Sequence, residues 1–137
     1  MAHLNIHDIG VQGEYEIAQI LKANGICHIR KPDFCVFIRN QWFAIEVKNK
    51  EPFEPPPCYA QGIPQTQYGN DMNMTHLGLP CILIVRGKDH EWLGQKLIKL
   101  KQIPEPRQHL LAKDDFVWFN LEQFKPIYEF LSELMNE

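Results

Sequence analysis

The sequence offers no run of apolar residues near the ~20 that a membrane-crossing helix needs. Its first ten residues, MAHLNIHDIG, hold no apolar core of signal-peptide length. No internal repeat, low-complexity tract or block of like charge stands out. Cysteine is scarce: Cys27, Cys35, Cys58 and Cys81 are the four, and no two lie at CxxC spacing. A disulfide framework or zinc ribbon is therefore not indicated, and a zinc site completed by His28 or His76 would have no recognisable spacing. Free, buried thiols in a reducing compartment are expected, hence a soluble, intracellular, cytoplasmic protein. Strong charge of either sign is also missing. A net charge of −3 neither announces nor excludes a nucleic-acid partner, because a local basic groove can sit on a near-neutral protein.

What is present is ordinary for a globular domain: 137 residues, 45% apolar and 23% charged. That suits one domain over residues 1–137, able to bury a core without staples. Ile17, Ala18, Ile20 and Leu21 recur at helical spacing in a helix over about 9–24, closed by Gly25. Strands are expected at about 26–29, 33–38 and 41–49, the last two joined by a tight turn at Arg39-Asn40 into an antiparallel hairpin. Pro52, Pro55, Pro56 and Pro57 enforce an irregular loop, and Pro64 opens a helix running to about Leu77. The run CILIV at 81–85 reads as a strand buried on both faces. Residues 91–100 fit either helix or strand and turn; 116–119 read as a final strand and 121–134 as an amphipathic helix. The order predicts an α/β fold, a central mixed β-sheet flanked by helices.

One stretch carries chemistry. In QWFAIEVKNK (41–50), strand alternation puts Glu46, Lys48 and Lys50 on one face, with Ile45 and Val47 on the other. A two-residue turn pairs Ile38 with Gln41 and carries Asp33 directly opposite Glu46, with Cβ atoms ~5 Å apart. A one-residue slip would part the two acids. Carboxylates so close repel unless a positive charge lies between them. Glu14, three residues before Ile17, falls at the inner edge of the first helix, and Glu16 points further from that stripe. Two or three hard carboxylates beside one lysine suit phosphodiester hydrolysis: they hold Mg²⁺, which activates water, and the ammonium orients that water or stabilises developing charge.

Lys31-Pro32-Asp33-Phe34, followed after twelve intervening residues by Glu46-Val47-Lys48, resembles the PD-(D/E)xK nuclease signature. Glu14 after Gly13 is similar to the first-helix glutamate of Holliday junction resolvase-like members. The resemblance covers about 13–50. It implies a restriction-endonuclease-like fold and a Mg²⁺-dependent cut of DNA, with Mn²⁺ able to substitute, leaving 5′-phosphates. By the match, Glu14, Asp33 and Glu46 are metal ligands with the Val47 carbonyl, and Lys48 is catalytic alongside them. The QxxxY motif of RecB-like members is absent: Gln61, Gln65 and Gln67 do not stand at that spacing from Tyr68.

The expected function is thus a metal-dependent endodeoxyribonuclease acting on DNA. A Holliday junction resolvase, a restriction or homing enzyme, and a phage or mobile-element nuclease all remain open. Since cutting two strands needs two sites, a homodimer or larger homo-oligomer is expected, with the C-terminal helix (Phe124, Tyr128, Phe130) either its interface or packed on the sheet. The alternatives are a catalytically silent nuclease-fold module that binds DNA or protein, and an unrelated α/β protein in which Glu46 and Lys48 are a same-face ion pair. Lys96, Lys99, Lys101 and Arg107 form the densest basic patch, either a DNA track or a solvated face. Lys50 contacts a phosphate or is solvated. Trp42, Trp92 and Trp118 are expected in core or interface, with base-stacking as the alternative.

Overall fold

The structure, a computed structural model, describes residues 6–29, 34–53, 59–103 and 116–137; the side chains of Ile6 and His7 are outside that description. The elements follow in the order α1 (Ile6–Ala23), β1 (Cys27–Ile29), β2 (Cys35–Ile38), β3 (Gln41–Lys48), β4 (Ala60–Pro64), α2 (Gln65–His76), β5 (Cys81–Arg86), β6 (Trp92–Lys96), β7 (Phe116–Asn120), β8 (Lys125–Pro126) and α3 (Ile127–Asn136). Six strands form a mixed sheet in the order β1-β2-β3-β5-β6-β8, parallel between β3 and β5; β4 and β7 pair as a separate two-stranded sheet.

The ends of α1 and α2 share one chemistry. Gly25 takes φ 70° and Gly78 φ 104°, left-handed values that glycine adopts without a Cβ clash. Ile26 N–H donates to Leu21 O at 2.9 Å and Leu79 N–H to Met74 O at 2.9 Å. These six-to-one bonds satisfy carbonyls that a helix end otherwise leaves open. Ile26 and Leu21 are both buried, and their apolar contact closes the turn.

The β2–β3 hairpin has the expected register. Arg39 (φ 51°) and Asn40 (φ 63°) both sit in the left-handed region, the signature of a two-residue turn matched to strand twist. Ile38 pairs with Gln41, and Cys35 with Ala44. Ile45 N–H donates to Phe34 O at 2.7 Å, so the strand contact reaches Phe34. Asp33 and Pro32 lie outside the described residues.

β5 is buried at all six positions, as a strand covered on both faces must be. On one face Val36, Phe43, Ile45, Ile82 and Ile84 pack with Ile17 and Leu21 of α1 and Ile127, Leu131 and Leu134 of α3. On the other, Ala44, Leu83, Val85 and Leu93 pack with Ile63, Val117 and Phe119 of the small sheet, flanked by Tyr68 and Met72 of α2. The even-numbered residues of β3 therefore look toward α2 and the small sheet.

Several expectations change. β4 is a strand where no element was expected, because AQGIP has no period-2 apolar signal. Residues 92–96 are strand, followed by a 3-10 turn over 97–99. The expected helix over 121–134 begins only at Ile127, after a 3-10 turn and β8; Pro126 lacks the N–H that a helix interior needs. Phe124 and Phe130 are buried against the sheet, whereas Tyr128 is 62% exposed. Cys27 is exposed rather than buried, on the edge strand; Cys35 is half-buried and Cys81 buried, all three as free thiols. Cys58 and Arg107 are outside the described residues. Among the described residues no helix is long and apolar enough to cross a membrane.

Candidate active site

The C-terminal end of β3 lies between two cavities that share Pro64. The first, about 480 Å³, is lined by Glu46 from β3 and by Gln67, Asn70, Asp71 and Met74 from α2. The second, about 780 Å³, is lined by Lys48, Asn49 and Lys50, by Gln12 and Glu16 of α1, and by Phe116. Glu46 and Lys48 are both half-buried. The Lys48 Nζ donates to Gln67 Oε1 at 2.9 Å, which holds the ammonium toward α2 on the face that alternation assigns to it. Among the described residues no carboxylate forms an ion pair with Lys48 or Lys50.

α2 supplies polar groups where an amphipathic helix normally turns its apolar stripe. Gln67, Asn70, Asp71 and Met74 stand at i, i+3, i+4 and i+7 and line one cavity. Asp71 is 3% exposed. The Cys81 thiol beneath it is pushed up beyond its ordinary range, by burial first and then by the charges of Asp71 and Glu46, with a hydrogen bond to Asp71 adding to the effect. The polar stripe at helical spacing was readable in QTQYGND; only its direction needed the fold.

α1 passes the same strand end at Gly13. A Cβ there would lie 2.6 Å from the Asn49 Cβ, so only glycine permits the approach. Glu14 is the next residue, half-buried on α1. Glu16, not Glu14, lines the larger cavity, and it is fixed there. Arg86 donates to Glu16 Oε1 at 3.0 Å and Oε2 at 3.2 Å, to Asn49 Oδ1 at 2.8 Å and to His90 O at 3.0 Å. The guanidinium lies 3.6 Å from the Trp92 ring centroid, and Trp92 Nε1 donates to the same Glu16 carboxylate at 3.3 Å. Asn49 Nδ2 donates to Ile9 O at 2.9 Å. Buried Gln61 of β4 donates to Lys50 O at 2.7 Å and Arg86 O at 3.1 Å. Helix α1 and the ends of β3 and β5 are thereby tied into one rigid corner that sets where Glu46 and Lys48 sit.

Lys50 is crowded differently. Its ammonium lies 4.9 Å from the Phe116 ring and 5.9 Å from the Trp118 ring. Burial of the ammonium first, and the adjacent Lys48 charge second, lower its pKa, although the residue as a whole is exposed. Of the expected basic patch, Lys96 is paired with Glu137 at 2.9 Å, and Lys99 and Lys101 are exposed.

Among the described residues no group of three His, Cys, Asp or Glu is placed to hold a metal ion; Asp33 is outside them. The donors facing the smaller cavity are carboxylate and amide oxygens from Glu46, Asp71, Asn70 and Gln67, the hard set that Mg²⁺ and Mn²⁺ take.

No protein-family model and no curated protein matches the chain. Solved structures do. A Holliday junction resolvase, Hjc, of Archaeoglobus fulgidus superposes with a TM-score of 0.62 at 14% identity, over 90% of this chain and 95% of that one. A nuclease from a fusselovirus gives 0.56 at 13% identity, over 98% and 94%. In fold, the chain is thus similar to this resolvase and this viral nuclease, a mixed sheet flanked by helices.

Proposed function

We propose that the protein is a cytoplasmic, metal-dependent endodeoxyribonuclease that hydrolyses DNA phosphodiester bonds at the C-terminal end of β3. The observation that carries this is the pairing of Glu46 and Lys48 on one face of β3, with Lys48 anchored by Gln67 at 2.9 Å, on a fold shared with a resolvase and a viral nuclease. Glu46, with Asp33, Glu14 and the Val47 carbonyl, would hold Mg²⁺, or Mn²⁺ in its place. Bound there, the ion supplies charge neutralisation and a more acidic water.

The residues themselves do the positioning. Lys48, which pairs with no described carboxylate, would turn its side chain to the attacking water and the phosphoryl oxygens. Gln67 holds its ammonium in place. Water adds to phosphorus, the bond from phosphorus to the 3′-oxygen breaks, and the 3′-oxygen leaves as an alcohol after taking up a proton, so the product keeps a 5′-phosphate. A homodimer would bring two such sites to two strands.

Calorimetric titration of Mg²⁺ and Mn²⁺ tests the ligand set without a guess about substrate. Binding in the wild type that disappears in both Asp33→Ala and Glu46→Ala is expected. Binding that persists in both variants would remove these carboxylates from the site.

A further inference from the structure

β7 alternates strictly: Val117 and Phe119 are buried in the core, whereas Phe116 and Trp118 are half-buried on the opposite face of the small sheet. Their rings are stacked, with centroids 5.8 Å apart and planes 29° apart. Phe53 extends the row, 5.8 Å from Trp118. Trp118 pairs with Gly62 across the strands and lies flat on it, because a Cβ at Gly62 would come within 2.7 Å of the indole. Glycine thus lets the ring lie down on its strand rather than stand away from it.

Lys50 sits over both rings, and Phe116 shares the larger cavity with Lys48 and Lys50. A flat aromatic surface beside two ammonium groups suits a nucleotide: the rings take the base and the ammoniums the phosphate. The Lys50 ammonium is partly desolvated and repelled by Lys48. Turning to a phosphate would give it a counter-charge and uncover the rings. Within a continuous duplex, both faces of every base are occupied by its neighbours, so a face-on contact needs a base that has left the stack.

We infer that Phe116 and Trp118, with Lys50, form a stacking platform for one unpaired DNA nucleotide beside Lys48, so that the preferred substrates carry unpaired bases at the cut. This rests on the nuclease reading of Glu46 and Lys48 and names its substrate class. The platform is tolerant of base identity, since every base has a π-face. Selection would be by DNA structure rather than by sequence.

The test is equilibrium binding, read by fluorescence anisotropy in EDTA so that no DNA is cut. A duplex with a two-nucleotide gap is compared with the same duplex fully matched. The wild type should prefer the gapped DNA by about fivefold to a hundredfold, the contribution of one base on an aromatic ring. Phe116→Leu keeps the apolar bulk without the ring and should abolish the preference, bringing the affinity for gapped DNA down to that for matched duplex. Trp118→Leu should do the same, with thermal melts showing which variants remain folded. Lys50→Gln should weaken both DNAs. Equal affinity of the wild type for the two DNAs, or a preference that survives in folded Phe116→Leu, would overturn the platform. Metal-dependent cutting of matched duplex with no preference would sink the platform and leave the nuclease reading standing. No binding to either DNA together with no metal-dependent cutting would remove both.

Discussion

Arg86 and Lys48 stand at the ends of neighbouring parallel strands, and their surroundings are opposite. Arg86 is 6% exposed, doubly bonded to Glu16, bonded to Asn49 and His90, and stacked on Trp92. Among the described residues, Lys48 has one neutral side-chain partner, Gln67, and the Lys50 ammonium has aromatic rings beside it. A cation whose three nitrogens are all engaged and whose charge is neutralised has little left for a substrate; it holds the corner together. A cation held in place but not neutralised remains available to an anionic substrate. The same corner thus separates the charge that builds the site from the charges that use it.

The largest expected effect that sharpens this contrast is on stability. Arg86→Ala leaves Glu16 beneath Trp92 without its cation and the Asn49 Oδ1 without its donor. Loss of one member of a fully buried pair costs about 3–5 kcal/mol. The Glu16 side chain is 35% exposed and can turn toward water, so about 2–3 kcal/mol is expected by urea denaturation. A cost under about 0.5 kcal/mol would erase the distinction between the two cations.

A smaller effect concerns the anchor of Lys48. Gln67→Ala removes one hydrogen bond, worth about 0.5–1.5 kcal/mol, and leaves the ammonium free to wander. Cleavage should fall about twofold to tenfold with unchanged metal affinity in calorimetry. Full loss of metal binding would instead make Gln67 a ligand.

The smallest effect is the pH dependence of Lys50. Its pKa is lowered in the folded chain from the ordinary 10.5, so protonated Lys50 disfavours folding. That penalty is complete below the lowered value. Between it and 10.5 the unfolded chain binds more protons, and stability recovers as pH rises. Lys50→Met should therefore gain stability relative to wild type near neutral pH, and the gain should shrink as pH approaches 10.5. A difference independent of pH in denaturant melts at pH 7 and pH 10 would place the ammonium in open water.

The sequence made the hairpin legible because three local signals agree there: an apolar run, a two-residue turn and a motif spacing that share one register. The two-stranded sheet was not legible. β4 is AQGIP, and its burial at Gln61 and Gly62 depends on Arg86 O, Lys50 O and the Trp118 ring, contacts that no local pattern announces. Phe124, Ile127 and Leu131 keep helical spacing across Pro126, which suggests a longer C-terminal helix, and the proline decides against it. Helical phase points Glu16 away from the buried stripe, while a guanidinium 70 positions later draws it into the structure. Asp71 escaped because an inward polar stripe looks like an outward one until the sheet is in place.

The most direct measurement is cleavage of gapped, branched and matched DNA in Mg²⁺ by the wild type and by Lys48→Ala, with EDTA as the control. The expected result is metal-dependent cutting that leaves 5′-phosphates and falls by roughly 10²–10⁴-fold in the variant, with its thermal melt unchanged. Undiminished cutting by Lys48→Ala, or no cutting of any of these DNAs by the wild type, would contradict an active site at the end of β3.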